Sequence, residues 1–325
     1  MLILQSDLLL NGFRFDFVAD ITIQSSWDLL TDRAEIVIPQ NISYRRDGQL
    51  IRNIVEGDNA IFQRGGSVEV SLGYGQVKKR FQGFISDVFP QRPIRLDCED
   101  EMYLLKQTNI NKFSKSKVTL PDLLQEILPK GTQFEAIELN LGDFRIKNSN
   151  VAKVLQWLKK NYGVSSYFRD GVLFSGLAYQ TEDPTLLTPI IFEFEKNIID
   201  DSDLIYKKVD DQKIKLRAVS IFPDNTKVEI EVGDPDGDQR TIYRYNVSES
   251  DLREIAEEEI KKIRYEGFKG SFEAFLEPMV KHGDAVQIIN QDIPEKNGVY
   301  LVKKVTTSFG QEGGRQFIEL DRRIS

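Results

Sequence analysis

The first hundred residues alternate hydrophobic and polar side chains in short stretches, which is the pattern of half-buried β-strands. After the apolar stretch that begins at Leu8, the dipeptide Asn11-Gly12 predicts a two-residue hairpin turn. Alternating stretches follow at residues 13–17, 21–23, 34–38, 68–70, 81–88 and 94–98. Together they predict a small antiparallel β-barrel over residues 1–107. A polar, turn-rich excursion over residues 40–60 is expected on its surface.

The middle of the chain changes to a helical period. Thr119 is placed to cap a short helix, and Asn150 to cap a second one that ends before Gly163. The apolar positions of the two helices are Leu120, Leu123, Leu124 and Ile127, and Val151, Val154, Leu155, Leu158 and Tyr162. A β-hairpin is predicted over residues 166–174. These elements predict a small α+β domain over residues 108–182.

Alternation resumes from about Ile190 and continues almost to the end of the chain. One amphipathic helix, over residues 248–264, interrupts it and begins with a capping box formed by Ser248 and Asp251. The apolar stripe of this helix is Leu252, Ile255, Ala256, Ile260 and Ile263. We predict a second β-barrel domain over residues 183–325. The predicted fold is mainly β, with two antiparallel β-barrels flanking the helix and hairpin domain.

The last strand series repeats the order of an earlier one. The corresponding positions are Gly66, Val68 and Val70 with Gly283, Val286 and Ile288; Gly83 and Val88 with Gly298 and Val305; and Ile94 and Leu96 with Ile318 and Leu320. The intervals between them differ by several residues. A duplicated unit and two ordinary β-meanders therefore both fit the sequence.

Charge and cysteine content exclude two kinds of site. The 43 Lys and Arg residues and 51 Asp and Glu residues give a net charge of -8, without the basic stripe that neutralises nucleic-acid phosphates. Cys98 is the only cysteine, which excludes an intrachain disulfide and a Cys-rich zinc site. The N-terminus lacks a basic region, and no apolar run is long enough to span a bilayer. We predict neither export nor membrane insertion.

Candidate catalytic and metal-binding residues are few. His282 is the only histidine, and it lies in a predicted turn at the start of a strand rather than beside a nucleophile. The segment 234–238 resembles part of a calcium loop, but Gln239 and Tyr245 stand where an EF-hand needs glycine and glutamate. A hairpin turn explains this segment better, with adventitious calcium as the alternative. We predict no enzyme and no catalytic, cofactor-binding or metal site.

One acidic cluster has a structural and a functional interpretation. Its members are Asp97, Glu99, Asp100 and Glu101. Glycosidase carboxylates come together from separate strands, so adjacent acids favour solvated charges at a strand end. A peptidoglycan hydrolase is the corresponding, less favoured function. The segment 73–75 lacks the following helix of a phosphate loop and is predicted to be a turn.

The two tryptophans are the basis of another possible function, carbohydrate binding. Trp27 and Trp157 could form a stacking platform for a sugar, which would make the chain a carbohydrate-binding β-protein. However, Trp27 lies at a strand corner and Trp157 next to Leu158 on the helix stripe. Both positions favour packing in a core.

The order of these motifs resembles the late control gene D family, which comprises baseplate hub proteins of contractile phage tails and is related to the hub part of type VI secretion spike proteins. The resemblance is carried by Ser26-Trp27-Leu30-Thr31-Ala34-Ile36-Ile38-Pro39, Phe81-Gly83-Ile85, Leu96-Cys98-Glu99-Asp100 with Leu104-Leu105, residues 151–174, Gly283-Asp284, Gly298-Val299-Tyr300 and Gly313-Gly314-Arg315-Gln316. It covers nearly the whole chain through the order of its motifs rather than through any single one.

The resemblance implies two tube-type β-barrels in each subunit and a homotrimer whose six barrels face a six-fold tail tube. It implies a structural role that joins the tail tube to the spike and lets DNA or other cargo pass. The partners would be the tube, spike and other baseplate proteins, and the location the virion, after synthesis in the cytoplasm of a bacterial host. Because the sequence stops at Ser325 after the second barrel, spike and wall-degrading activities are expected on separate chains.

Overall fold

A computed structural model describes residues 3–15, 18–39, 44–46, 49–51, 62–90, 93–177 and 187–324. Strands dominate these residues, and 14 of the strands belong to one large sheet. The prediction of a mainly β fold with an α+β middle part is confirmed. Phe17, most of the excursion at residues 40–60 and the predicted boundary between residues 182 and 183 lie outside the described residues.

The first β unit follows the predicted alternation. Its strands are β1 (Leu4–Leu10), β2 (Phe13–Phe15), β3 (Asp20–Ser26), β4 (Arg33–Ile38), β5 (Tyr44–Arg46), β6 (Gln49–Ile51), β7 (Ser67–Tyr74), β8 (Gln76–Phe89) and β9 (Ile94–Glu99). In the large sheet the antiparallel order is β3-β4-β9-β8-β7-β1-β2, while β5 and β6 form a separate hairpin. Inward positions such as Ile21, Ile36 and Leu96 are fully buried and form the first core.

The middle part combines helices with a ribbon and a small sheet. Its elements are α1 (Met102–Gln107), β10 (Asn109–Thr119), α2 (Leu120–Ile127), β11 (Gln133–Ala136), β12 (Asn140–Asn150), α3 (Val151–Tyr162), β13 (Val164–Arg169) and β14 (Val172–Leu177). The predicted caps are confirmed. The Thr119 hydroxyl accepts from the Asp122 N–H at 3.3 Å, the Asn150 side chain accepts from the Lys153 N–H at 2.9 Å, and Gly163 ends α3 with a positive φ of 69°.

The second β unit comes next in the chain, together with a further sheet and helix. The elements are β15 (Ile190–Glu193), β16 (Ile198–Asp200), β17 (Leu204–Lys207), β18 (Ile214–Ile221), β19 (Lys227–Gly233), β20 (Asp238–Tyr245), α4 (Glu249–Ile263), β21 (Gly267–Phe275), β22 (Ala285–Ile289), β23 (Gly298–Gly310) and β24 (Gly313–Arg323). The helix predicted over residues 248–264 is confirmed as α4.

Strands β18, β19 and β20 differ from the expectation that they belong to the second barrel. They form their own three-stranded sheet, in which β18 pairs with both neighbours. One face of β18, with Leu216 and Ala218, packs on α4, and the other face, with Val219 and Ile221, joins the core of the middle part. Alternation along a strand shows which residues face a core, but not which sheet the strand joins.

The two β units have the same strand order. In the first unit the sheet order is β1-β7-β8-β9-β4-β3. In the second it is β15-β22-β23-β24-β21, and β16 and β17 both pair with β21, one after the other along that strand. The order along the sequence also corresponds, strand by strand. One difference is that β1 pairs antiparallel with β7, whereas β15 pairs parallel with β22. A shared topology of this kind favours the duplicated unit over two unrelated meanders.

A single ladder joins the two units into one sheet. Strand β22 pairs with β23 only over residues 298–301, so the rest of that edge of β23 is available to another strand. Strand β3 occupies it in an antiparallel register that runs from Ser26 opposite Lys304 to Ile21 opposite Phe309. The 14-stranded sheet therefore extends from the second unit into the first.

The connection between β21 and β22 attaches the second unit to the first at another place. Leu276 is fully buried in the first core, although it follows a strand of the second unit. Next to it, Glu277 forms ion pairs with Arg80 at 3.1 Å and with Lys78 at 2.7 Å, both from β8. The Tyr74 hydroxyl also donates to the Gly314 carbonyl at 3.0 Å. Each unit thus supplies part of the other's packing.

Replacing Leu276 by alanine is expected to destabilise the whole sheet. This residue belongs to the second unit but fills part of the first core, so its loss leaves a cavity there. The expected loss in the free energy of unfolding is about 2–5 kcal/mol in urea denaturation. The matched control is Phe317→Ala, also in the second unit but 42% exposed, for which we expect a loss of about 1 kcal/mol or less. Equal losses for the two variants would contradict this packing.

Candidate functional site

A cavity of about 250 Å³ lies where the three parts of the chain meet. The first β unit, the β13–β14 hairpin and the segment just before β22 all line it. Its polar lining includes Ser25, Asp32, Arg80, Asp100, Arg169 and His282. The cavity brings together ionisable groups whose pKa values burial shifts strongly, namely Asp32, Asp100 and His282.

Asp32 and Asp100 form a carboxyl pair on one wall of the cavity. The Asp32 N–H donates to the Asp100 carboxyl at 3.0 Å, and the Asp100 N–H donates to the Asp32 carbonyl at 3.1 Å. The second Asp100 oxygen accepts from the Met102 N–H at 3.0 Å, at the start of α1. Ser25 donates its hydroxyl to Asp32, and the Ser26 N–H donates to the same carboxyl at 3.1 Å. The pair therefore connects the β3–β4 turn to α1.

Burial governs the ionisation of this pair. Asp100 is only 4% exposed, and loss of solvation together with the neighbouring Asp32 raises its pKa well above the usual value. Burial likewise raises the pKa of Asp32 to about 7, against the opposing hydrogen bonds from Ser25 and Ser26. The prediction of solvated charges at this strand end is wrong for Asp100, because its oxygens are needed by backbone N–H groups.

Two other acidic residues of that cluster have basic partners, while burial raises the pKa of the fourth member, Glu101. Glu99 forms an ion pair with Lys106 at 2.8 Å, and Asp97 forms one with Arg95 at 3.2 Å. Both lie on the side of the sheet away from the first core, as a strand-end charge should. Asp97 and Glu99 thus have basic partners, and both line a depression of the outward face together with Glu35 and Asp87.

His282 lies in the predicted turn, but it is 3% exposed and packs edge-on against Tyr167 with ring centroids 5.1 Å apart. Burial, followed by the nearby cations Arg169 and Lys281, lowers its pKa to about 4. A neutral imidazole enclosed against an aromatic ring serves packing. Sequence reasoning could not have found its burial, since the turn signal His282-Gly283-Asp284 indicates a surface position.

The hairpin turn predicted at residues 234–238 is wrong, because β18 lies between β19 and β20 and the segment crosses from one side of β18 to the other. Protein groups hold this calcium-like segment. Asp234 accepts from the Ile214 N–H at 3.0 Å and forms an ion pair with Arg264. Among the residues that the structure describes, no group of three or more His, Cys, Asp or Glu side chains could hold a metal ion. Gly75 makes the predicted turn between β7 and β8, while Gly73 and Tyr74 end β7.

Trp157 differs from its predicted place in a core. It is 45% exposed on α3 and contacts Phe144 edge-on with ring centroids 5.4 Å apart. Trp27 is partly buried at the β3–β4 turn. Across the described ranges, no helix has the length and apolar character needed to cross a membrane.

The large sheet has an outward face that extends over both β units. Along each strand, the polar side chains of this face alternate with side chains that enter one of the two cores. Its charged side chains form ion pairs, such as Arg95 with Asp97 at 3.2 Å and Arg315 with Glu273 at 3.1 Å. Exposed apolar side chains occur on both units. They are Ile3, Leu9, Leu29 and Val77 in the first unit and Ile191, Ile199, Ile205, Phe275 and Phe317 on strands of the second.

Comparison with known proteins identifies the fold. No protein-family model matches the chain, and no curated protein matches it. A solved structure of the tail protein from Neisseria meningitidis MC58 matches with 16% identity and a TM-score of 0.63, over 98% of this chain and 96% of that one. This chain has the fold of a phage tail protein. The mainly β tail-protein fold expected from the resemblance in sequence is thereby confirmed.

Two further tail and secretion proteins share the fold. The prophage MuSo2 43 kDa tail protein from Shewanella oneidensis matches with 14% identity and a TM-score of 0.62, over 98% of this chain and 96% of that one. The E. coli c3393 protein, a component of the type VI secretion system, matches with 12% identity and a TM-score of 0.58, over 94% of this chain and 73% of that one.

We expect the His282→Gln variant to lose less stability in acid than the wild type does. The unfolded histidine takes up a proton near pH 6.5, whereas the folded one does so only near pH 4, so the free energy of unfolding falls as the pH drops through that window. Between pH 7 and pH 4.5 the wild type should lose about 2–3 kcal/mol more than the variant in urea denaturation. Equal losses in both proteins would show that His282 is accessible to protons in the folded state.

Proposed function

We propose that this chain is a structural hub protein of a contractile phage tail or a related injection machine, and that it assembles as a homotrimer. The observation that carries the proposal is the pair of topologically equivalent β units joined by the β3–β23 ladder. Three such chains would place six similar units around one axis. That arrangement would match a three-fold spike on one side to a six-fold tail tube on the other.

The terminal strands of the second unit are the proposed contacts between subunits. Strand β15 pairs with β22, and β17 pairs with β21, at the two ends of this part of the sheet. Ile191 on β15 is 52% exposed and Ile205 on β17 is 55% exposed. Exposed apolar side chains on terminal strands favour association, and contacts between two different surfaces close into rings.

The charge pattern supports passage of DNA or protein cargo rather than tight binding. The chain carries a net charge of -8, and bases on the outward face of the sheet lie beside acids, as Lys303 does with Glu319 at 2.7 Å. Such a surface does not collect phosphates. We propose the tail tube, spike and other baseplate proteins as partners, the virion as the location and a role that is structural rather than enzymatic.

The test is the mass and shape of the purified protein, alone and with tube and spike proteins. Native mass spectrometry should give three times the 37.3 kDa chain, and negative-stain electron microscopy should show rings. Ile205→Glu and Ile191→Glu should shift the protein to monomers, because each places a charge in the contact. Trp157→Glu, at a similarly exposed position on the middle part, should leave the trimer intact.

Monomers at every concentration, with no rings in the presence of tube and spike proteins, would contradict the proposal. Trimers that are unaffected by Ile205→Glu and Ile191→Glu would place the contacts on other surfaces. In that case the proposed hub function would still hold, but the proposed interface would be wrong.

A further inference from the structure

Strands β10 and β12 form a two-stranded ribbon that is separate from the large sheet. One face of the ribbon packs in the core of the middle part through Phe144 and Ile146. The other face carries Lys112, Arg145 and Lys147, all of them exposed. Lys112 and Lys147 are register partners, and Arg145 is the next residue on the same face of β12. Three positive charges therefore lie side by side on this surface, which we call the basic face.

The charges of the basic face are not neutralised within the described part of the chain. Lys115, farther along β10, forms an ion pair with Glu126, but the three residues of the basic face form none. Asp143 is exposed on the same face of β12 and is not paired with them either. Like charges directly opposite each other on neighbouring strands repel and destabilise the pairing. An acidic partner would relieve this repulsion.

The middle part is basic although the chain as a whole is acidic. Residues 102–177 contain 11 Lys and Arg and 6 Asp and Glu, whereas the whole chain contains 43 and 51. The rest of the chain therefore has 32 basic and 45 acidic residues. A second copy of this chain thus offers the basic face an excess of acidic side chains. Nucleic acid suits the face less well, because specific DNA-binding proteins contact about 6–10 phosphates and an acidic chain repels a polyanion.

The connection between β16 and β17 is an acidic turn at one end of the large sheet. It contains Asp200, Asp201 and Asp203, which are exposed. Among the described residues, no base forms an ion pair with these three acids. Ile199 and Ile205 lie on either side of the turn and are 39% and 55% exposed. The turn thus combines negative charge with apolar surface, on the terminal strands already proposed as subunit contacts.

We propose that the basic face of one subunit receives the acidic β16–β17 turn of the next subunit, a contact that rests on the trimer proposed above. A closed ring of three requires each subunit to meet its neighbours through two different surfaces. The terminal strands of the second unit supply one of them, and the basic face has the charge that the other requires. The dimensions agree. Register partners lie roughly 5 Å apart and same-face neighbours along a strand roughly 7 Å apart, while Asp200 and Asp203 are at most roughly 11 Å apart.

The apolar and the charged side chains have different roles in this contact. Exposed ion pairs add little to affinity and are screened by salt. Burial of Ile199 and Ile205 therefore supplies most of the binding free energy, while the charges determine which surface the turn meets and in which register. Assembly should weaken as the salt concentration rises, because screening removes the attraction between the two surfaces.

Exchanging the charges of the two surfaces tests the contact. Sedimentation velocity measures the protein concentration at which half of the chains are in trimers. At low salt, Lys112→Glu combined with Lys147→Glu should raise this concentration about tenfold or more, because two acidic surfaces then face each other. Asp201→Lys combined with Asp203→Lys should do the same with two basic surfaces. All four substitutions in one chain restore opposite charges and should bring the concentration back to within about threefold of the wild type.

The matched control is Lys153→Glu combined with Lys160→Glu, which reverses two exposed bases of α3 and changes the net charge by the same amount. It should leave assembly unchanged. The wild type provides an independent test that needs no variant, since its half-assembly concentration should rise with salt.

The outcomes separate this contact from the trimer itself. A wild-type trimer that tolerates the charge reversals, or that is insensitive to salt, overturns the contact alone. The same holds if the chain with all four substitutions fails to recover. A wild type that stays monomeric, with or without tube and spike proteins, overturns the trimer as well. Binding of a duplex DNA probe in fluorescence anisotropy, lost on Lys112→Glu with Lys147→Glu, would assign the basic face to nucleic acid and overturn the contact.

Discussion

The ladder between β3 and β23 is the constraint on which the rest of this structure depends. It pairs the strand at the inner end of the first unit with the far half of the longest strand of the second unit, over Ser26 to Ile21. The two cores then lie on the same side of one sheet, and its other side carries charged and polar residues together with exposed Phe275 and Phe317. Without this ladder the two β units would be separate sheets, joined by Leu276, the ion pairs of Glu277 and the hydrogen bond from Tyr74 to Gly314.

Sequence reasoning found most elements because their signals are local. The caps at Thr119 and Asn150, the stripe of α4 and the alternation in β3 and β4 each depend on residues within a few positions of one another. Helix α1 was not predicted, because six residues are too few to show a helical period. What starts it is the carboxyl of Asp100, whose sequence neighbours give no sign of burial.

Long-range pairing could not be predicted in the same way. Nothing in β18 distinguishes a strand of the large sheet from the centre of a separate sheet, since both carry alternating apolar residues. The same holds for the candidate site: Asp32 and Asp100 are 68 residues apart, and only the fold shows that they touch. The exposure of Trp157 was missed because helical spacing gives the direction of a face but not how far a core extends.

A cross-strand disulfide tests the central claim directly. Gln24 and Thr306 are register partners on the outward face, so cysteines at both positions should form an intrachain disulfide on mild oxidation, detected by peptide mass spectrometry. Cysteines at Gln24 and Phe317 provide the control, because Phe317 pairs with Thr306 from the other side and lies two strands away. At roughly 9–10 Å this second pair is beyond disulfide reach and should stay reduced. A disulfide between positions 24 and 317, or none between 24 and 306, would contradict the continuous sheet.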